Sequence, residues 1–111
     1  MSFKGVDYYK IDDLPSDDEK MIRSLTREFL EEEVETFIVN AWDWEEPLNM
    51  RELAPRMGEL GLLGVSLPEK YGCPEVSYVA SGLICQEFER VDSALRSFKE
   101  VISGLVMYPI W

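Results

Sequence analysis

Histidine is absent from the 111 residues. With it go imidazole general bases, Ser or Cys triads built on His, and most catalytic zinc sites. Cysteine is scarce. Cys73, beside a Gly-Pro loop, and Cys85, inside an apolar helical run, are too few for a disulfide framework and lack metal-ligand spacing. They read as reduced thiols in a cytosolic protein, a small buried one at Cys85 and a loop one at Cys73. Long hydrophobic runs are missing as well. No window approaches the ~20 apolar residues of a membrane span, and Met1 to Lys10 has no signal-peptide core, so no membrane partner is expected. A basic excess is lacking too: 22 acidic residues against 11 basic give a net charge of −11. That charge repels phosphate backbones, and nucleic acid is not an expected partner.

What remains is an ordinary globular balance, 46% apolar and 30% charged, which argues against disorder. A chain of this length buries roughly two thirds of its unfolded surface around one core, so residues 1–111 are expected to form a single domain.

Helical signals follow one another along the chain. Ser16-Asp17-Asp18-Glu19 is a capping box whose acids sit at the positive end of a helix. The helix it opens carries one apolar stripe at Met21, Ile22, Leu25 and Phe29 and a second at Val34, Phe37, Ile38 and Ala41. The two are displaced by more than about 90° on a helical wheel, so a kink or helix junction is expected near residue 32. The acidic run Glu31-Glu32-Glu33 between them reads as a solvated face.

Asn49 with Glu52 can cap a short helix running to Gly58 or Leu60 despite Pro55. Gly61, Gly64 and Gly72 punctuate a loop without phosphate-cradling spacing. A helix from about Ser77 to Val91 is apolar nearly all round, as suits the middle of a bundle. Asp92 or Ser93 can cap the last helix, whose apolar positions Leu95, Phe98, Val101, Ile102, Leu105 and Val106 form one stripe, with Arg96, Lys99, Glu100 and Ser103 on the other side. No run shows sustained strand alternation. The fold class is all-α, a bundle of four to six helices.

Four segments taken together, Asp7-Tyr8-Tyr9 to Met21-Ile22-Arg23, Met57 to Gly64, Leu67 to Gly72, and Glu89-Arg90-Val91-Asp92-Ser93 to Ser103-Gly104-Leu105-Val106-Met107-Tyr108-Pro109-Ile110, resemble the N-terminal helical domain of acyl-CoA dehydrogenases, most closely the glutaryl-CoA dehydrogenase branch. In that family FAD is held mainly by a central β-domain and a C-terminal helical domain, and the latter supplies the base that removes the α-proton. Neither is expected within residues 1–111. The resemblance therefore implies a fragment that walls the acyl pocket but is catalytically incomplete alone. It implies no catalytic residue and no cofactor for this chain by itself, FAD and acyl-CoA only in a full-length context, and a cytoplasmic or mitochondrial-matrix setting. No metal is expected.

The resemblance places Arg96 near the distal carboxylate of a glutaryl chain, a role suited to a guanidinium fork. The plainer account of Arg96 is a surface arginine paired with Glu100 one turn on. The chain departs from the family pattern at Lys99-Glu100-Val101-Ile102-Ser103, where small polar residues are expected. Glu100 there sets a carboxylate against a glutaryl carboxylate, which is costly.

A second departure lies at Thr36 to Trp44, where Val39 and Trp44 replace charged or polar residues. Drift is the plainer account of it. The sharper one is a non-enzymatic helical scaffold, reused or engineered to bind a protein partner through Val39, Asn40 and Trp44 together with Lys99 and Glu100 on the last helix. Exposed apolar surface on that last helix also makes self-association an expected outcome.

Overall fold

The computed structural model describes residues 5–42 and 49–111, with the side chains of residues 40–42 left aside. Asp7 opens the described chain by accepting the N–H groups of Ile11 (3.0 Å) and Asp12 (2.8 Å), which starts a 3₁₀ turn at Ile11–Asp13. The capping box is formed as expected. Ser16 Oγ accepts from the Glu19 N–H at 3.2 Å, and Glu19 Oε2 accepts from the Ser16 N–H at 2.9 Å. Glu19 Oε1 also accepts from the Ser77 hydroxyl, tying the start of one helix to the start of another.

Helix α1 (Asp17–Phe29) passes into a π segment (Leu30–Val34) and then α2 (Glu35–Trp42) without a break in helical backbone. The junction expected near residue 32 is this π segment. Its i→i+5 bonding advances the chain by one extra residue, which re-phases the inward face. Phe29, Leu30, Val34 and Ile38 are consequently all buried. Before the junction Ile22 and Phe29 of the expected stripe face inward together with Thr26, while Met21 and Leu25 are exposed. Thr26 is tolerated inside because its hydroxyl donates to the Ile22 carbonyl at 2.9 Å.

Helix α3 (Met50–Glu59) contains Pro55 and buries Met57. Asn49 occupies its N-cap position but makes no side-chain cap bond. Its end is closed by Gly61 at φ +70° and by the Leu62 N–H donating to the Met57 carbonyl at 2.9 Å, a left-handed glycine stop. The loop that follows is pinned. Leu62, Val65, Leu67 and Cys73 are buried, the Val76 N–H donates to the Val65 carbonyl at 2.9 Å, and the Gly64 N–H donates to Ser103 Oγ at 2.9 Å.

Helix α4 (Tyr78–Val91) is capped by Ser77, whose Oγ accepts from the Ala80 N–H. It buries Ala80, Ile84, Glu87 and Phe88 and packs between α1 and the last helix. Val79 and Tyr78 are exposed, so the helix is central along one face rather than all round. Asp92, extended at φ −161°, ψ 127°, breaks the chain and caps α5 (Ser93–Glu100) by accepting the Leu95 N–H at 3.0 Å. A π segment (Val101–Met107) and a final turn, α6 (Tyr108–Ile110), complete this rod.

The core gathers Phe29, Leu30, Val34, Met57, Ile84, Phe88 and Leu95. No strand occurs among the described residues. The fold is all-helical, with four helical rods among the described residues, and no described helix is long and apolar enough to cross a membrane.

Candidate functional site

The turn at Asp92 folds α4 and the last rod into an antiparallel hairpin, and similar spacing on either side of it brings polar side chains together in rungs. The first rung is Glu89 with Arg96: Arg96 Nε donates to Glu89 Oε2 at 2.7 Å, and Ser93 Oγ donates to Glu89 Oε1. The Ser93 hydroxyl, and then Arg96, hold the Glu89 carboxyl below its ordinary value. In return Glu89 holds the Arg96 proton more tightly.

The second rung joins Cys85 to Lys99 and Glu100. Glu100 Oε2 accepts from Lys99 Nζ at 3.0 Å and from the Cys85 thiol at 3.2 Å, while Nζ lies 3.4 Å from Cys85 Sγ. Burial pushes the Glu100 carboxyl up, but the bonds from Lys99 and Cys85 outweigh it and the net shift is downward. Burial is the main cause that raises the Cys85 thiol, with Lys99 opposing. The third rung is the pair of hydroxyls of Tyr78 and Tyr108 at 3.1 Å.

Between the second and third rungs lies a cleft of about 90 Å³ bounded by Gly64, Ser66, Ser81, Glu100, Ser103 and Tyr108. Ser66 Oγ is buried beside it with no hydrogen-bond partner among the described residues.

This geometry rearranges several expectations. Arg96 pairs with Glu89 across the helix break, not with Glu100 one turn on. Its Nη nitrogens meet no acceptor among the described residues. Lys99, expected on an outward polar face, is 0% exposed, and Ser103 is buried with it. The expected inward stripe is instead exposed at Val101, Leu105 and Val106. Lys99 follows the buried Leu95 by one ordinary turn of α5 and so lies inward, and Ser103 one turn on is buried with it, its Oγ donating to the Lys99 carbonyl at 2.9 Å and receiving the Gly64 N–H, while the π segment at Val101–Met107 carries the exposed Val101, Leu105 and Val106. The cysteines also exchange places: Cys73 is buried in the loop and Cys85 is partly exposed, and both are free thiols. Val39 is 60% exposed, while the Asn40 side chain and Trp44 lie outside the described residues.

Sequence reasoning assigned no role to Glu89 or Cys85. Their i,i+4 spacing on α4, facing Arg96 and Lys99 across the cap at Asp92, was the signal available. No cluster of three or more metal-ligating side chains occurs among the described residues.

A larger, apolar pocket of about 360 Å³ opens on the opposite side of α4, between α1 and the loop after α3. Ile22, Leu25, Phe29, Leu60, Val76 and Ile84 line it, and Glu28, Glu32 and Glu33 stand at its edge. Glu33 is engaged by Arg56 in a two-pronged pair at 2.9 and 3.0 Å.

Comparison with known proteins places these features in a family context. The family described as acyl-CoA dehydrogenase, N-terminal domain, matches residues 16–111. A probable acyl-CoA dehydrogenase of Bacillus subtilis is 34% identical over 83 residues, covering 75% of this chain and 14% of that protein. The glutaryl-CoA dehydrogenase of Desulfococcus multivorans is 32% identical over 79 residues, covering 69% of this chain and 20% of that protein. The mitochondrial isovaleryl-CoA dehydrogenase of Bos taurus is 28% identical over 80 residues, covering 72% and 19%. These relatives differ in the acyl group they are named for, and their similar identities single out no one branch. The chain aligns with about a fifth or less of each relative's length. It belongs to the acyl-CoA dehydrogenase N-terminal domain family.

Proposed function

We propose that residues 1–111 act as one helical domain of a flavin-dependent acyl-CoA dehydrogenase, walling the acyl pocket and leaving the chemistry to parts of the enzyme outside this chain. One observation carries the reading. The last rod presents an uncovered apolar face at Val101, Leu105, Val106 and Ile110, with Arg96 one helical stretch earlier. Apolar surface of this extent on one helix calls for an apposed surface, and a wall that meets an acyl chain would supply it.

The described residues do not fit a flavin site on their own. The space a side chain would fill at Gly61 is closed by Pro74 and at Gly64 by Met107, and the Gly64 N–H is spent on Ser103. FAD, where the complete enzyme binds it, supplies the electron acceptor.

The finer reading, a carboxylate-terminated acyl group such as glutaryl, rests on Arg96. Glu89 fixes its Nε side and leaves the Nη side for a ligand carboxylate. The repulsion expected from Glu100 is met by Lys99, whose ammonium compensates that charge at 3.0 Å. The test is a chimera in which this domain replaces the corresponding segment of the Desulfococcus multivorans glutaryl-CoA dehydrogenase. Glutaryl-CoA and butyryl-CoA oxidation are measured with and without Arg96→Ala. A loss of about 100-fold in kcat/KM for glutaryl-CoA alone is expected from removing a charge-assisted pair. Equal losses for both substrates would remove Arg96 from carboxylate recognition, and a flavin-loaded chimera inactive on both would remove the wall role.

A second reading is favoured by the apolar pocket beside α1. Its volume and lining suit a small cluster of aliphatic side chains of a partner protein, and the carboxylates at its edge suit basic flanking residues. Leu25→Asp, at an exposed position, should abolish such binding and leave the circular dichroism unchanged. Retained binding would discard this surface.

A further inference from the structure

We propose that Cys85 and Lys99 are a site of oxidative cross-linking, in which a direct bond from Sγ to Nζ staples α4 to α5. Lysine usually carries its ammonium out to water along a flexible stem. Lys99 does the reverse: it is 0% exposed, and its Nζ is held between Glu100 Oε2 at 3.0 Å and Cys85 Sγ at 3.4 Å. Glu100 Oε2 also accepts from the thiol at 3.2 Å, so amine, thiol and carboxylate meet at one point. Cys85 is partly exposed, which gives a small oxidant a path to the sulfur that the enclosed amine lacks.

The oxidant is a hydroperoxide. In the first step the sulfur attacks a peroxide oxygen; an S–O bond forms, the O–O bond breaks, and the thiol proton leaves with the second oxygen, as water from hydrogen peroxide or as an alcohol from an organic hydroperoxide. Sulfur is oxidised by two electrons to the sulfenic acid and the peroxide is reduced. In the second step, which involves no net redox change, Glu100 takes a proton from the Lys99 ammonium and the freed nitrogen lone pair attacks sulfur. The N–S bond forms as the S–O bond breaks. The departing hydroxide leaves as water with the proton held by Glu100, and the remaining extra N–H proton passes to solvent.

Condensation of a sulfenic acid with a neighbouring nitrogen is established chemistry for backbone amides. Here the nitrogen is a lysine amine held in place, and such fixed proximity favours it over a second, diffusing peroxide. The consequence is protective as well as structural. The cross-link stops the sulfur short of the irreversible acids, and a thiol reductant reopens it.

The test is intact mass spectrometry of the Cys73→Ser chain after hydrogen peroxide treatment, followed by tryptic mapping. Removing Cys73 excludes a disulfide, which would give the same mass change. The expected product is about 2 Da lighter, from the two hydrogens lost. Trypsin should no longer cut after Lys99, the peptides containing Cys85 and Lys99 should be joined, and dithiothreitol should restore the starting mass. Lys99→Met should prevent the product. A gain of about 16 or 32 Da at Cys85 with cleavage after Lys99 intact overturns the proposal. So does an unchanged mass, and so does a gain of about 14 Da, which would mean an oxygen-bridged link instead of a direct bond. The Cys73→Ser chain decides the matter even if Lys99→Met fails to fold.

Discussion

Glu87, near the middle of α4, accepts both Nε and Nη2 of Arg27 on α1, at 2.8 and 2.7 Å, across 60 residues of sequence. Arg90 adds a third donor at 3.2 Å and reaches on to Glu31 at 3.3 Å. The carboxylate is 2% exposed while Arg27 keeps one side in water, so the two partners are not equivalent. Removing Arg27 leaves a buried charge short of its main partner, whereas Arg27 can turn to solvent if Glu87 is neutralised. Arg27→Met should therefore cost about 2 kcal/mol and Glu87→Gln about 1 kcal/mol. Urea denaturation measures both, and the reverse order would mean that the carboxylate is better solvated than its position suggests.

The same pair sets a pH dependence. Burial works to raise the Glu87 carboxyl, but the bonds and charges of Arg27 and then Arg90 outweigh it and bring it below the ordinary 4.5. A carboxyl whose folded value is depressed contributes stability that is complete above its unfolded value and is lost as pH falls through the folded one. Asp12, Glu19, Glu33, Glu89 and Glu100 shift the same way. Stability should thus be flat near neutrality and decline below about pH 4.5 to 5, with a shallower decline in Glu87→Gln. Thermal unfolding across that range is the measurement, and parallel curves for the two proteins would take Glu87 out of the acid response.

How much of this could be read from the sequence depended on how local the cause was. Ser16 with Glu19 and Asp92 announce helix starts through bonds that span three residues, and both caps are formed as the sequence suggests, whereas Asn49 makes no cap bond and the cap at Ser77 was not anticipated. The faces of the long rods were not legible in the same way. A wheel at about 100° per residue assumes i→i+4 bonding throughout, and the π segments at Leu30–Val34 and Val101–Met107 break that assumption. Val101 and Leu105, on the second of these segments, turn outward, whereas Lys99 lies inward before that segment begins, one ordinary turn after the buried Leu95. The partner of Arg96 was missed for a related reason: Glu89 lies seven residues back across the extended Asp92, where helical spacing rules do not apply.

Gly64 joins the loop to the last rod through backbone geometry that a side chain would oppose. Its φ is +65°, and an added Cβ would lie 2.6 Å from Met107 Cε and 3.2 Å from Leu67 Cδ1. The methionine end can swing aside, but the backbone angle cannot be relieved so easily, since the Gly64 N–H must stay on Ser103. Gly64→Ala should cost about 2 kcal/mol, about 1 kcal/mol of it from the left-handed backbone. Measured in a Met107→Ala background the cost should fall to about 1 kcal/mol, the packing share having been removed. An unchanged cost in that background would assign the whole effect to the backbone.

Lys99 and Glu100 form an ion pair whose two halves have very different surroundings, the ammonium fully enclosed and the carboxylate side chain 45% exposed. Replacing the buried charge by an apolar chain of similar length removes both its attraction and its desolvation cost, and leaves a carboxylate that water can reach. Lys99→Met should stay within about 1 kcal/mol of the parent, on either side of zero. Glu100→Ala does the opposite: it strands an ammonium with only the Cys85 sulfur beside it, and a loss of about 2 to 3 kcal/mol is expected. Combining the two should recover most of that loss, because the uncharged replacement for Lys99 no longer needs the carboxylate. Chemical denaturation of the three variants closes the cycle. A Glu100→Ala cost no larger than that of Lys99→Met would show that the enclosed ammonium finds water without its partner, and would weaken the case for a nitrogen held against sulfur.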